Sequence, residues 1–197
     1  MLTRGCGAVL LMLAANGCGA VNTAAPPGQL ERFDPIASLT AIAKFAGPQA
    51  RLITLRATGV GSDGTMNLAA PGGPRVEAEF VAAAIAGDPE RQPEAKYAVG
   101  HAIRVLLTVQ APSGEHRGMG RAPNGRATGD ERTIEPPACT YAELWTKAIE
   151  FGAPRTGSAT IDYDADGYAF AIDGQEVRRF TASCALRKTS DMKKQKR

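Results

Sequence analysis

The feature that most constrains the fold is an Asp-Gly pair that occurs twice, each time between alternating apolar residues. The pairs are Asp63-Gly64 in "GSDGTMNL" and Asp166-Gly167 in "TIDYDADGYAFAIDG". Asp-Gly between alternating hydrophobic residues is a strong short-range hairpin signal, because the two-residue turn needs left-handed backbone that these residues tolerate. The sequence therefore predicts two β-hairpins.

The alternation also predicts a register for each hairpin, counted outward from the Asp-Gly pair. In the second hairpin, Ala165 faces Tyr168, Tyr163 faces Phe170 and Ile161 faces Ile172, on the side opposite Asp162, Asp164 and Asp173. In the first hairpin, Gly61 faces Met66 and Gly59 faces Leu68, on the side that carries Ile53, Leu55 and Ala57.

An amphipathic helix precedes each predicted hairpin. The first begins at Asp34, a good N-cap that is followed by Pro35. The second begins at "TYAE", where Thr140 and Glu143 fit a capping box. Apolar residues then recur at helical spacing, as Leu39, Ile42, Ala43 and Ala46 in the first helix and Tyr141, Leu144, Trp145, Ala148 and Gly152 in the second.

A third alternating strand follows each hairpin, with Val76, Ala78, Phe80 and Ala82 in the first half and Phe180, Ala182 and Cys184 in the second. "HAIRVLLTVQ" adds a further strand to the first half. We therefore predict an α+β fold of two related helix-strand-strand-strand halves, at residues 34–110 and 138–186, with each helix packed on an antiparallel sheet. This order of elements loosely resembles the small PepSY-like helix-plus-sheet modules of the cell envelope, and the resemblance implies no functional residue.

The first residues indicate export. Arg4 precedes the apolar run "GAVLLMLAA", which is about half the length of a membrane-spanning helix, so residues 1–17 are predicted to be a removable signal. "LAANGCGAVN" resembles the lipobox of bacterial lipoproteins, which implies lipid attachment at Cys18, a tether over residues 18–33 and a membrane partner. Gly19 after the cysteine implies the outer membrane rather than the inner. Ordinary cleavage near Ala15 or Ala20 is the alternative.

Cys139 and Cys184 are the two cysteines outside the signal region. An exported compartment is oxidising, so the pair predicts a disulfide that ties the start of the second helix to the sheet edge. A bridge that closes about 46 residues stabilises a fold by roughly 4 kcal/mol in the chain-entropy model.

The net charge of +3 comes from one end of the chain. Residues 187–197, "RKTSDMKKQKR", hold six of the basic residues and form a predicted solvated tail, while the rest is mildly acidic. Residues 111–137 are rich in Gly, Pro and Arg and are predicted to be a linker or a long mobile loop. No nucleic-acid partner is expected, because an exported protein rarely meets RNA.

The second Asp-Gly stretch also fits part of a calcium loop. Asp162, Asp164, Asp166 and Gly167 stand at positions 1, 3, 5 and 6, and Asp173 stands at position 12. An EF-hand needs a helix on both sides, whereas strand alternation flanks this run. The turn of a hairpin with an acidic outer face is the preferred interpretation, and a weak calcium site at these four aspartates stays open.

Catalytic constellations are scarce in the sequence. The two histidines, His101 and His116, have no nucleophile motif beside them, and no phosphate-binding loop is present. Tyr141 and Trp145 could line a ligand groove, but their helical spacing favours the core, and Glu77 and Glu79 are typical of a solvated strand face. We therefore predict a non-catalytic envelope module that binds a protein, peptide or polymer without a cofactor. The alternatives are an envelope hydrolase and a weak calcium-binding adhesin or sensor.

Overall fold

The structure is a computed structural model that describes residues 23–88, 97–114 and 116–187. Two helices and eight strands make up the described chain. In chain order they are β1 (Thr23–Ala24), α1 (Leu39–Ala46), β2 (Arg51–Val60), β3 (Arg75–Ala83), β4 (Ala102–Val109), β5 (Met119–Arg126), α2 (Tyr141–Glu150), β6 (Ala159–Asp164), β7 (Gly167–Ile172) and β8 (Gln175–Phe180).

All eight strands belong to one antiparallel sheet in the order β1-β5-β4-β3-β2-β6-β7-β8. The predicted α+β fold of two related helix-packed halves is therefore wrong, and the fold is predominantly β. The join lies between β2 and β6, where Leu55 pairs with Tyr163 and Arg56 pairs with Asp162. Pairing these two strands removes the two exposed edges that separate sheets would have had.

Both helices pack on the same side of the sheet, which we call the helix face. Its side chains form one continuous core that includes Leu39 and Ile42 of α1, Phe80 of β3, and Trp145 of α2. The Trp145 and Phe170 rings meet edge to face with centroids 5.0 Å apart. The other side of the sheet, the open face, carries polar and charged side chains such as Arg56 and Glu77.

The sequence prediction is correct for most of the local strand patterns. Val76, Ala78, Phe80 and Ala82 of β3 are all buried, as are Ile103, Val105, Leu107 and Val109 of β4. The last predicted strand is wrong beyond Phe180, because β8 ends there and the following residues turn.

The predicted first hairpin is wrong. β2 ends at Val60 and the next strand begins at Arg75, so the residues after Asp63-Gly64 form a long loop instead of a partner strand. Met66 makes only isolated bridges, to Val60 and to Phe33. A Cβ atom on Gly64 would lie 2.5 Å from the backbone nitrogen of Ala142, so this glycine is needed for contact with the start of α2 rather than for a hairpin.

The second hairpin exists, but its turn lies one residue earlier than predicted. Asp164 pairs with Gly167, so Ala165 and Asp166 form the turn, and Asp166 N–H donates to Asp164 Oδ1 at 2.7 Å. The register therefore differs from the prediction by two residues, since Tyr163 pairs with Tyr168 instead of Phe170, and an even shift leaves the same side chains facing the core. The predicted inner residues Ile161, Tyr163, Phe170 and Ile172 are accordingly buried.

Part of the predicted linker is a strand. Within residues 111–137, β5 pairs with β4. The pairing begins with Met119 opposite Val109 and ends with Arg126 opposite Ile103. Pro123 fits in this strand because β1 covers β5 only at Met119 and Gly120, which leaves the backbone at Pro123 on the uncovered edge.

The helix ends agree with the capping signals, with one shift. The Thr140–Glu143 capping box is present at the start of α2. Asp34 caps a turn that precedes α1, since its Oδ1 accepts from Ile36 N–H at 2.9 Å, while α1 itself begins at Leu39.

The predicted disulfide between Cys139 and Cys184 is confirmed, with 6.0 Å between the Cα atoms. Cys184 lies in the turn after the edge strand β8, and Lys147 Nζ of α2 donates to its carbonyl oxygen at 2.8 Å. The bridge therefore fastens α2 to the end of the sheet.

Cys18, the signal at residues 1–17 and residues 188–197 of the basic tail lie outside the described residues. Within the described part of the chain, neither helix has the length and apolar character needed to cross a membrane.

Candidate functional site

A groove of about 530 Å³ crosses the open face and is the candidate site. Side chains from seven strands line it, so it runs across the strands from β5 to β8. The lining residues are Thr54, Leu55, Arg56, Glu77, Glu79, Leu106, Asn124, Asp162, Tyr163, Asp164, Gly167, Ala169 and Arg179. We call this feature the open-face groove.

A small residue on β7 contributes to the depth of the groove at one end. Ala169 points no bulky side chain outward, whereas the neighbouring strands carry Asp162 on β6 and Arg179 on β8. Gly167 is needed for a different reason, because a Cβ atom there would collide with the backbone at Phe180 and Thr181. At the other end, Leu106 of β4 contributes an apolar side chain that is 37% exposed. A ligand lying across the strands would therefore meet charged groups along most of the groove and an apolar contact near β4.

The register of the sheet places charged residues of alternating sign in a single row. Glu77 on β3 is opposite Arg56 on β2, and Arg56 is opposite Asp162 on β6. Asp162 is opposite Ala169, which is in turn opposite Arg179 on β8. Arg56 Nε lies 3.4 Å from Asp162 Oδ1. Opposite charges on adjacent strands stabilise a sheet by about 0.2–1 kcal/mol per pair.

Glu79 is the most firmly held acid in the groove. Arg104 donates to its Oε1 through Nε at 2.8 Å and through Nη2 at 2.5 Å, and Asn124 Nδ2 donates to the same atom at 3.1 Å. The Glu79 side chain is only 14% exposed. Its charge is thus fixed in position and partly neutralised.

Asp162 has a different electrostatic environment. Partial burial raises the pKa of its carboxyl group, and the negative charges of Asp164 and Glu77 raise it further. The guanidinium groups of Arg56 and Arg179 oppose this effect. An additional cation nearby would therefore stabilise the charged form of Asp162.

The most acidic part of the groove lies at Asp162 and Asp164 on β6. Four carboxylates line the groove, Glu77, Glu79, Asp162 and Asp164, against the guanidinium groups of Arg56 and Arg179. Arg75 and Arg104 pair with Glu77 and Glu79 at 3.1 and 2.5 Å, so the charges of those two carboxylates are largely offset. Such a surface attracts cationic groups and lowers the encounter rate of anionic ones.

The four aspartates of the candidate calcium loop do not gather at one point. Asp162 and Asp164 share the open face, and Asp166 lies in the adjoining turn. Asp173 lies beyond Ile172 at the other end of the hairpin, about 13 Å along the strand from the residue opposite Asp162. Among residues 23–88, 97–114 and 116–187, no three His, Cys, Asp or Glu side chains converge as a metal-binding cluster.

The remaining candidates from the sequence lie away from the groove. Tyr141 and Trp145 are fully buried in the core, as their spacing predicts. His116 Nδ1 accepts from Gly118 N–H at 3.1 Å, and its ring would contact a Cβ atom at Gly120. His101 is exposed in the turn before β4.

A second cavity of about 460 Å³ lies on the helix face between α1 and residues 133–137. Its walls are mainly apolar and include Leu39 of α1, Phe80 of β3 and Ile134. The backbone N–H of Ile134 donates to Leu52 O at 2.8 Å, which attaches residues 133–137 to β2.

Comparisons with protein-family models, with curated proteins and with solved structures gave no match.

Sequence reasoning did not assign the open-face groove. The sequence predicts a solvated strand face at Glu77 and Glu79, and at Asp162 and Asp164 it predicts the acidic outer face of a hairpin while leaving a weak calcium site open. The usable signal is that acidic residues alternate with core residues in both β3 and β6, while β7 has small residues at Gly167 and Ala169. The missing information is that β2 brings these strands together.

Proposed function

We propose that this protein is an exported, lipid-anchored binding protein of the cell envelope, and that its open-face groove holds an extended ligand with cationic groups. The observation that carries the proposal is the groove itself, which crosses seven strands of one sheet and has more carboxylates than guanidinium groups. A peptide or polymer that bears amino groups has the matching charge and shape.

The contacts of the groove favour binding over catalysis. Glu79 is held by Arg104 and Asn124, and Arg56 lies beside Asp162, so the charged side chains are positioned mainly by one another. A rigid antiparallel sheet keeps them at fixed spacings of about 4.8 Å between strands. Such a regular array suits recognition of repeated charges along an extended chain.

The test is calorimetric titration of the protein with pentalysine and with pentaglutamate at low ionic strength. Pentalysine is expected to bind and pentaglutamate is not. The double substitution Asp162→Asn and Asp164→Asn should weaken pentalysine binding by about tenfold, because two exposed ion pairs contribute about 0.5–1 kcal/mol each. Asparagine at position 164 can still accept the hydrogen bond that now forms the turn.

The double substitution Glu31→Gln and Glu150→Gln is the matched control, because both are exposed carboxylates outside the groove. It should leave pentalysine binding unchanged. Equal binding of the two peptides would contradict the selection of cationic ligands by the groove. Equal weakening by the control would show that the attraction is a property of net charge and not of the groove.

The anchor is a separate part of the proposal and rests on the segment around Cys18. Labelled palmitate should be incorporated by the wild-type chain in a bacterial host and lost in Cys18→Ser, and fractionation should place the labelled protein in the outer membrane. A wild-type chain that takes up no label contradicts the anchor and leaves the groove untouched.

An envelope hydrolase is the second candidate, favoured by one observation. Asp162 combines a raised pKa with a place in a groove beside Glu77 and Asp164, and a perturbed carboxyl group in a cleft is a common feature of acid–base sites. If this candidate is correct, Asp162→Asn abolishes turnover of an envelope polymer while leaving its binding measurable.

A further inference from the structure

The chain leaves the sheet at one end of the open-face groove. After β8 it turns back, so that Leu186 bridges to Phe180 in antiparallel orientation. Arg187 N–H then donates to Arg179 O at 2.9 Å, and the Arg179 side chain lines the groove. Residues 188–197 therefore continue from a point beside the β8 end of the groove.

This segment is long enough to reach the acidic part of the groove. Arg187 lies one strand spacing outside β8, and the path from it across β8, β7, β6 and β2 to Glu77 on β3 is five spacings, or about 24 Å. Ten residues, 188–197, reach about 33 Å when extended. An extended segment that starts at Arg187 can thus reach Asp162, Asp164 and Glu77.

The charges of the two are complementary. Residues 188–197, "KTSDMKKQKR", carry five basic residues and one acidic residue. The groove carries four carboxylates and two guanidinium groups, with Asp162 and Asp164 near the end from which the segment departs. A tethered segment also has a high effective concentration, in the millimolar range for short flexible links.

We propose that residues 188–197 bind in the open-face groove of their own chain and compete there with the external cationic ligand. This inference rests on the proposed function, because it assigns an internal occupant to the same groove. An external ligand then has to displace the segment. Its apparent affinity is therefore lower than its affinity for a groove that the segment does not occupy. The groove is accordingly responsive to anything that removes the segment, such as an anionic lipid surface or proteolysis.

The first experiment is zero-length carbodiimide crosslinking of the full chain, which joins lysine amines to carboxylates in direct contact. Lys193, Lys194 or Lys196 are expected to crosslink to Asp162, Asp164 or Glu77, with yields that fall steeply at 0.5 M salt. Mixing isotope-labelled and unlabelled protein separates links within a chain from links between chains. Links only to carboxylates outside the groove, or only between chains, would overturn the inference.

The second experiment measures competition by titrating pentalysine into two matched variants. One variant neutralises four charges of the segment, by replacing Lys193, Lys194, Lys196 and Arg197 with glutamine. The control neutralises four exposed charges elsewhere, by replacing Arg32, Lys44, Arg132 and Arg155 with glutamine. The segment variant is expected to bind pentalysine on the order of tenfold more tightly than the control. This factor corresponds to an effective concentration of the segment that is about ten times its dissociation constant for the groove.

The outcomes separate the two proposals. If both variants bind pentalysine with equal affinity, the segment does not compete and the inference fails while the proposed function stands. If neither variant nor the wild type binds pentalysine, the proposed function fails, and the crosslinks alone decide whether the segment occupies the groove.

Discussion

Arg121 provides the sharpest test of how the sheet is held to α1, because its charged side chain is buried on the helix face of β5. Its guanidinium group pairs with the carboxylate of Asp88, and both side chains are 0% exposed. Arg121 Nε donates to Ala46 O at 2.7 Å, Nη2 donates to Asp88 Oδ2 at 2.9 Å, and Nη1 donates to Asp88 Oδ1. Asp88 Oδ2 also accepts from Ile85 N–H at 2.9 Å. The pair thus joins the end of α1, the loop after β3, and β5.

The perturbation is Asp88→Asn, which keeps the size of the side chain and removes its charge. The Arg121 guanidinium then stays in the core without a counter-charge, and breaking a buried pair in this way costs about 3–5 kcal/mol. Because domains of this kind are stable by about 5–15 kcal/mol in total, the loss is a large fraction of the free energy of unfolding.

Arg121→Met tests the same pair from the other side, and the two substitutions together should cost less than the sum of the single effects. The double variant no longer contains a buried charge, so a coupling of more than about 1.5 kcal/mol is expected. Arg56→Met is the matched control on the open face. The side chains of Arg56 and its partner Asp162 are 54% and 41% exposed, and an exposed pair contributes only about 0–1 kcal/mol.

The assay is urea unfolding at pH 7 followed by the fluorescence of Trp145, the single tryptophan of the chain, which is fully buried. Unchanged m-values would confirm that the variants unfold in the same way. A loss below about 1 kcal/mol for Asp88→Asn, or strict additivity in the double variant, would refute the reasoning that the pair is a desolvated and mutually dependent unit.

Three further predictions concern the helix ends and the disulfide. Cys139→Ser should lower the free energy of unfolding by about 4 kcal/mol in the chain-entropy model, since the bridge closes a separation of 45 residues. Urea unfolding of the wild type with and without reductant should show the same difference. Gly64→Ala should destabilise the fold by more than about 2 kcal/mol, because the new methyl group clashes with the Ala142 backbone and alanine is also strained at positive φ. Gly72→Ala is the control, because it has open space and should show only the cost of positive φ, about 1–2 kcal/mol. Equal effects at the two glycines would contradict the Gly64 contact. Thr140→Ala should cost about 1 kcal/mol through loss of the capping box, with recovery in Thr140→Ser, as measured by thermal unfolding.

The sequence best predicts structural features that depend on residues close together in the chain. The capping box at Thr140, the apolar spacing of α2 and the alternation in β3 each reflect hydrogen bonds or side-chain directions within a few residues, and all three are present. The disulfide was also predictable, because few cysteines lie outside the signal region and their pairing did not require knowledge of the sheet.

The sequence predicted least well which strands are neighbours. Alternation specifies which side chains of a strand face the core, but not which strand lies beside it. β2 and β6 are about a hundred residues apart in the chain, and nothing local in either one distinguishes a sheet edge from a central position. β5 was missed for a different reason: "MGRAPNGR" has the composition of a loop, and its place in the sheet depends on a buried ion pair at Arg121 and on an edge where Pro123 is tolerated.

The candidate site could not be predicted for the same reason that the fold was misassigned. Glu77 and Asp162 are far apart in the sequence, and each has an ordinary explanation within its own strand. They become parts of one groove only because β2 lies between β3 and β6 and places Arg56 beside both. The pairing of β2 with β6 therefore combines residues that resemble two separate solvated strand faces into one continuous charged surface. Two predicted sheets can each carry charged residues on the face away from their helix. Whether those charges form a single site then depends on whether the edge strands of the two sheets pair with each other.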